Sequence, residues 1–520
     1  MSMEREKKLF DAITGIRDDL IEQAQDIKPK TKGPKWKAWA IIAACAVLVV
    51  GIGGIMLWQN FLPLGGSSGD AGSGGNGHEG GSTVFMSYAG PVFPLTLSEQ
   101  DSKVSADRHI TYDFSLANED SLRVWGAGMQ DNYILTNHSG QACRVNILYP
   151  FAGSFSELEK QQPTIRIDGA TVKPTIYPGG YSGEFTGVYG RDEPDGSENL
   201  KPLDSWEGYK NLLADGSYQE NAFSSYPELN QKVTVYEFSD YKAPLEEYRA
   251  ATEAISFTID PAKTTILQYG FEGMMWNEKG YREYSYFVPD GVTMRAESHL
   301  LIVLGDDIGD YSLQGYKNGS TEPGNELDTV SSTVTRYEGV LSDIVSRLID
   351  DYFTQYGDDA GLPKGISKEL YFGAVTEFLY QHGTFANKLA DRYQDGRLMD
   401  IISEVNILGR VFYLEVPVTI PAGGQIAVTA NLHKKPSFDF ACTGSKNVGI
   451  QGYDMVTHLG SNLHFGSVAA EITNIRDIEI IRQNFGFDLS AGVTEVALDP
   501  AVEHYYLEIK AVNRLGKAKR

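Results

Sequence analysis

The chain has 520 residues, of which 42% are apolar, and its 69 acidic and 45 basic side chains give a net charge of -24. This composition excludes collagen-like, disulfide-stapled and wholly disordered proteins, and the length predicts two or more domains. The charge excludes a general nucleic-acid binder, because too few cations are present to neutralise phosphates.

Residues 1–37 are predicted to form a cytoplasmic amphipathic tail. Its apolar residues Leu9, Ile13, Ile16 and Leu20 recur at helical spacing, and charged residues fill the opposite face. A helix of this length is marginal in water, so the stripe favours docking on a protein partner, on another copy of the chain or on the inner membrane leaflet. These four residues are the candidate partner-binding residues.

Residues 38–58 form an uncharged apolar run that is long enough, as a helix, to cross a bilayer. Five lysines lie between residues 28 and 37, and no Lys or Arg follows the run until Lys103. This asymmetry predicts a cytoplasmic amino terminus and an extracytoplasmic remainder. The sequence therefore predicts a single-pass protein of the cell membrane, with the lipid bilayer as a partner.

The opening stretch LFDAITGIRDDLIEQAQ is followed by Lys-rich, Trp-containing residues and then by WAIIAACAVLVV. This region, about the first 58 residues, resembles the amino-terminal region of clostridial (Firmicutes) single-pass membrane proteins related to anti-sigma factors. The resemblance implies a short cytoplasmic helix, one membrane span and a variable outer domain. It also implies a sigma factor as the partner of the tail.

A Gly/Ser-rich linker over residues 59–83 leads into the outer part of the chain. Short apolar runs separated by turn residues predict a β-rich domain over 84–339 and a β-rich region over 406–520. Between them, helical spacing of apolar residues predicts a helical segment over 340–405. The predicted class is α+β, with one transmembrane helix followed by a sandwich-like extracytoplasmic region.

Several local elements are predicted within these regions. Leu300–Leu304 has the composition of a buried strand, and Ser367 is placed to cap a helix. Ile472–Ile481 is predicted to be one strand. The predicted hairpins pair Tyr133–Thr136 with Cys143–Tyr149, Thr164–Ile167 with Thr171–Ile176 through Asp168-Gly169, Thr265–Phe271 with Glu283–Val288, and Thr494–Leu498 with His504–Lys510.

No motif predicts a catalytic residue or a cofactor. Ser239 and Lys242 match S-x-x-K, but the K-T-G strand that accompanies this pattern in penicillin-recognising enzymes is missing. Two sets of residues were weighed as metal ligands against ordinary loop residues, because neither has a recognised ligand spacing. They are His433, Asp454, His458 and His464 for a transition metal, and Asp306, Asp307, Asp310, Asp358 and Asp359 for calcium.

Cys143 and Cys442 are the two cysteines outside the apolar run, and each lies in a strand-like setting. They could form one disulfide bond or remain two buried thiols, and the sequence leaves both alternatives open.

The function expected from the sequence is binding or sensing of an unknown extracytoplasmic ligand, without enzymatic activity and without nucleic acid. A signal would pass through the tail to a cytoplasmic partner. The alternative is an anchored adhesin or structural surface protein. A third class, an envelope hydrolase, requires that two of Asp306, Asp307, His458 and His464 converge in a pocket.

Overall fold

The computed structural model describes residues 89–511 except 116–125, 182–209, 211–212, 215, 224–226, 244–250, 290–297, 318, 358–360, 440–446 and 448. Strands account for 48% and helices for 18% of the structure. The strands of the first half are β1 Thr96–Leu97, β2 Val104–Asp113, β3 Ala127–Asn137, β4 Cys143–Gly153, β5 Thr164–Ile167, β6 Ala170–Thr171, β7 Thr175–Tyr181, β8 Lys232–Lys242, β9 Thr252–Thr258, β10 Thr264–Tyr269, β11 Gly273–Trp276 and β12 Tyr281–Phe287.

The remaining strands are β13 His299–Gly305, β14 Tyr311–Tyr316, β15 Ser331–Val340, β16 Arg410–Ile420, β17 Gln425–Lys434, β18 Phe438–Asp439, β19 Ile450–Val456, β20 His464–Thr473, β21 Ile478–Gln483, β22 Glu495–Leu498 and β23 His504–Ala511. The α-helices are α1 Leu158–Gln161, α2 Ser217–Ala222, α3 Leu341–Tyr356, α4 Lys368–Gln381 and α5 Leu398–Ile407. Short 3-10 turns cover Phe155–Glu157, Pro227–Asn230, Leu389–Asp391 and Ile475–Asp477.

The largest sheet has seven strands in the order β22-β20-β2-β3-β17-β5-β6, and we call it the seven-stranded sheet. Strands β2 and β3 alternate strictly between buried and more exposed residues, so one face of the sheet is apolar and the other is polar. The apolar face shares one core with the β16 sheet, β1-β4-β16-β7, and with the β23 sheet, β18-β19-β23-β21.

Two further four-stranded sheets form a smaller sandwich. They are the β13 sheet, β10-β13-β8-β15, and the β12 sheet, β11-β12-β9-β14. Leu301 and Val303 of β13 pack toward the β12 sheet, whereas Leu300 and Ile302 join the main core. Because both faces of β13 are buried, its sequence is a continuous apolar run, as predicted for Leu300–Leu304.

Helices α3, α4 and α5 fill the main core between the β13 and β16 sheets. Helix α3 begins directly after β15 and ends before Gly357. The side chain of Ser367 accepts a hydrogen bond from the backbone N–H of Leu370, which confirms the predicted cap of α4.

One of the four predicted hairpins is confirmed at its turn, although its second strand ends at Thr171, and Thr175 and Ile176 belong to β7 in the β16 sheet. Ile167 pairs with Ala170 across Asp168 and Gly169, whose φ angles of 49° and 82° suit a tight hairpin turn. The other three pairings are wrong, although strands form at these positions. The observed partners are β2 and β17 for β3, β1 and β16 for β4, β13 for β10, β11 and β9 for β12, β20 for β22, and β19 and β21 for β23.

The connection between β3 and β4 shows why the hairpin prediction failed there. These strands lie in different sheets, and the chain crosses from one to the other after Asn137. A second crossing, between β16 and β17, passes beside the first. The buried Asn137 amide donates to the backbone oxygens of Gln141 at 2.7 Å and Pro421 at 3.0 Å, so it joins both crossings.

The predicted α+β class with a transmembrane helix is corrected to a β-rich fold. Among the residues that the structure describes, no helix is long and apolar enough to cross a membrane. The longest, α3, has 16 residues, or about 24 Å at 1.5 Å per residue, and it carries charged side chains. The predicted cell-membrane localisation is corrected with the class, since this fold does not support it. The predicted span, residues 38–58, lies outside the described residues.

Candidate functional site

A groove of about 600 Å³ lies along β21, the outermost strand of the β23 sheet. Among the described strands, β21 pairs only with β23, so no described strand pairs its other edge. Binding sites are usually concave and largely formed in advance. We call this feature the β21 groove; it is lined by Ile478, Glu479, Ile480, Ile481, Arg482, Gln483, Phe487, Asp488 and Leu489.

Strand β21, which carries the groove, begins after a turn that separates it from β20. Asn474 has a φ of 52°, in the left-handed region that Asn tolerates better than most residues, and a turn over Ile475–Asp477 follows. The prediction of one strand over Ile472–Ile481 is therefore wrong, because these residues supply the end of β20 and the start of β21. A register shift between Ile480 and Arg482 marks a bulge, and Ile481 is 36% exposed.

The wall opposite β21 is a loop that hydrogen bonds hold in place. Gln483 donates from Nε2 to the backbone oxygen of Phe487 at 2.6 Å and accepts from the Phe487 N–H at 3.0 Å. Asp488 accepts from the backbone N–H groups of Ser490 at 3.0 Å and Ala491 at 3.1 Å. A wall ordered in this way lowers the entropy cost of binding.

Aromatic packing anchors the same loop to the core. The ring of Phe485 lies 5.3 Å from that of Phe487 and 5.2 Å from that of Tyr505, and its third neighbour is Tyr112 of β2 at 6.2 Å. All four side chains are buried. Phe487, which lines the groove, is thus anchored in the main core through Phe485.

The charged lining of the groove is acidic overall. Glu479 and Asp488 are exposed, and hydrogen bonds from Ser490 and from the Ala491 N–H lower the pKa of Asp488. Arg482 is the single cation of the lining. It forms an ion pair with Glu508 of β23, whose side chain is only 1% exposed and whose pKa burial raises.

A buried ion pair stands elsewhere in the main core. Arg108 donates to Asp131 from Nε at 2.9 Å and from Nη2 at 2.8 Å, and both side chains are fully buried. Tyr133 donates to the same carboxylate at 2.7 Å. The network joins β2, β3 and β4, because Tyr149 of β4 also donates to Asp131 at 3.3 Å.

A second buried ion pair links α4 to β16. Arg410 lies 3.3 Å from Glu377, and it also donates to the backbone oxygen of Gly179. Burial raises the pKa of Glu377 to about 7, even though Arg410 favours its ionised form. This pair also holds structural elements together.

The predicted transition-metal residues do not form one site. Asp454 is buried, and its Oδ1 lies 3.1 Å from Nε2 of His504, which is not among the predicted metal ligands. His433 is exposed on β17, with its pKa lowered by desolvation and by Lys435 and Lys434, and His458 contacts Thr457. No group of three or more potential metal ligands occurs among the described residues.

The predicted calcium residues do not come together in one site among the described residues. Asp307 accepts from Arg336 at 2.7 Å and from Tyr236 at 2.8 Å; these bonds lower its pKa against the opposing effect of burial. Asp306 and Asp310 flank the turn after β13, and Asp358 and Asp359 lie outside the described residues. The S-x-x-K match lies within β8, where Ser239 contacts Asp240 rather than Lys242.

Cys143 is a partly buried free thiol at the start of β4 and donates to Asp101 at 3.1 Å. Burial and the Asp101 carboxylate raise its pKa. Cys442 and the candidate tail residues Leu9, Ile13, Ile16 and Leu20 lie outside the described residues, so the tail partner stays a prediction.

Comparison with family models, curated proteins and solved structures finds no significant match to this chain. The resemblance to anti-sigma-related proteins therefore stays a prediction. The candidate site rests on the geometry of the β21 groove.

Proposed function

We propose that the protein is a non-enzymatic binding protein that recognises an extended segment of a partner polypeptide at the β21 groove. The segment would join the β23 sheet as an additional strand beside β21. One observation carries this proposal: the groove runs along a sheet edge that no described strand pairs.

An unpaired edge offers backbone N–H and C=O groups in the spacing that another strand needs. Proteins that bind peptides by strand addition use these groups for affinity and use neighbouring pockets for specificity. Natural edge strands are commonly protected by Pro, by charged side chains, by a β-bulge or by a covering loop. β21 contains no Pro, its bulge is confined to the step between Ile480 and Arg482, and the loop beside it stands as a wall of the groove.

One part of the lining can receive an apolar side chain of the incoming segment. Ile481, 36% exposed at the bulge, offers this surface, whereas Phe487 is buried and Ile480 and Leu489 pack partly against the main core. Because side chains of a strand alternate, every second side chain of the ligand would enter this lining. Full burial of one Val-sized side chain contributes about 1.5–3 kcal/mol, so two or three such contacts support measurable affinity.

The test uses the full chain and the fluorescein-labelled peptide Lys-Val-Thr-Val-Thr-Val-Lys, with binding followed by fluorescence anisotropy. Replacing Ile481→Arg puts a charge in the apolar lining and should weaken binding at least about tenfold, or about 1.4 kcal/mol. Ile134→Arg is the matched control, because Ile134 is 38% exposed on the polar face of the seven-stranded sheet. It should leave binding unchanged.

Backbone pairing is tested separately with N-methylated peptides. In a strand, alternate N–H groups point to opposite edges, so methylation of one alternating set should abolish binding and methylation of the other should not. Equal effects of the two sets, or equal effects of Ile481→Arg and Ile134→Arg, would refute strand addition at this groove.

A further inference from the structure

We infer that the β21 groove selects basic segments, in which Lys or Arg residues flank the apolar side chains. This inference rests on the proposed function and assigns its ligand class. The observation behind it is the arrangement of charge in the groove, where carboxylates line both sides and the single cation is already paired.

Glu479 and Asp488 stand on the two sides of the groove, one on β21 and one on the loop wall. Both side chains line the groove and are exposed. Asp488 is held by the hydrogen bonds of its own turn, which fix its position and favour its charged form. A cation on the ligand would therefore meet a carboxylate on either side.

The cation Arg482 does not cancel this acidity. Its guanidinium bonds to the buried carboxylate of Glu508, and Nη2 also lies 3.5 Å from the side-chain oxygen of Asn447. Glu508 comes from β23 directly opposite Arg482 in the register, so the pair is built into the sheet. The pair is neutral as a unit, and Glu479 and Asp488 determine the net charge of the lining.

Lys510 is the other cation near the groove, because it lies opposite Glu479 on β23. Among the ion pairs of the described residues, however, none joins Lys510 to Glu479, and Cε of Lys510 lies beside Gly449. Glu479 is thus available to a ligand. The net charge of -24 adds long-range attraction for cationic ligands and repulsion of anionic ones.

The experiment compares three peptides that differ only at their ends: Lys-Val-Thr-Val-Thr-Val-Lys, the Gln-flanked equivalent and the Glu-flanked equivalent. Exposed ion pairs contribute up to about 1 kcal/mol each, or about fivefold in affinity. With two carboxylates in the groove, the Lys-flanked peptide should bind about tenfold more tightly than the Gln-flanked one. The Glu-flanked peptide should bind most weakly, and added salt should reduce these differences.

Glu479→Lys should weaken binding of the Lys-flanked peptide about fivefold and strengthen binding of the Glu-flanked peptide. A variant that only damaged the fold would weaken both. Glu338→Lys is the matched control, because Glu338 is an exposed strand residue of the β13 sheet, and it should change neither affinity. Equal binding of the three peptides overturns the basic selectivity and leaves strand addition standing. No binding by any of them overturns both proposals.

Discussion

The Arg108–Asp131 pair allows a quantitative test of how the main core is held together. Asp131→Asn removes the negative charge and keeps the shape of the side chain. The new amide nitrogen cannot accept the hydrogen bonds that Arg108 and Tyr133 direct at Oδ2. Arg108 then keeps its charge in the core, and its remaining acceptors are neutral: the amide oxygen left at position 131 and the backbone oxygens of Val456 at 2.6 Å and Phe93 at 3.2 Å.

The expected loss follows from this burial. Both side chains of the pair have no solvent exposure, so the charge of Arg108 cannot be compensated by water without opening the core. Removal of one partner from a buried ion pair costs about 3–5 kcal/mol, whereas an exposed pair contributes about 1 kcal/mol or less. We therefore expect Asp131→Asn to lower the free energy of unfolding by about 3–5 kcal/mol.

Urea denaturation followed by tryptophan fluorescence measures this loss. Asp107→Asn serves as the control, because Asp107 is an exposed neighbour on β2 that accepts a hydrogen bond from Ser467, and its loss should cost about 0.5 kcal/mol or less. The double variant Arg108→Met with Asp131→Leu should be more stable than Asp131→Asn alone, since it leaves no buried charge. A loss below about 1 kcal/mol for Asp131→Asn would refute the reasoning.

Two further predictions concern titratable groups. Because the pKa of Glu377 is about 7 in the folded state and 4.5 ordinarily, its contribution to stability is present below pH 4.5 and is lost as pH rises to about 7. The difference between the urea denaturation midpoints at pH 5 and at pH 7.5 should therefore be smaller in Glu377→Gln than in the parent chain. An equal difference in the two proteins would contradict this prediction. The raised pKa of Cys143 predicts slow alkylation by iodoacetamide at pH 7.5. Asp101→Asn should speed alkylation several-fold at the Cys143 peptide, measured by mass spectrometry, and an unchanged rate would exclude the Asp101 contact as the cause.

Local elements were predictable where a single residue determines the backbone. Ser367 caps its helix through its own side chain, and Asp168-Gly169 forms its turn because both residues adopt positive φ angles. Strand partners were not predictable, because alternation shows which face of a strand is buried and not which strand lies beside it. The partner strands of β3 and β4 could therefore be identified only from the three-dimensional structure.

The candidate site was missed for a related reason. The groove needs an unpaired edge, and a strand becomes an edge through the arrangement of the whole sheet. The local signal that was available is Asn474 followed by Asp477, two turn-favouring residues within the predicted strand Ile472–Ile481. They mark the turn after which β21 begins, but they do not show which strand or loop lies beside β21.

The burial of both faces of the β13 sheet has a consequence for any attempt to divide the chain. One face contributes to the core of the smaller sandwich and the other packs against α3, α4 and α5. Since β15 ends at Val340 and α3 begins at Leu341, no spacer separates these layers. A fragment that stops at residue 339 would expose Val235, Leu300 and Ile302 to water, and we expect it to aggregate rather than fold. Residues 89–511 therefore make a better unit for expression than either half.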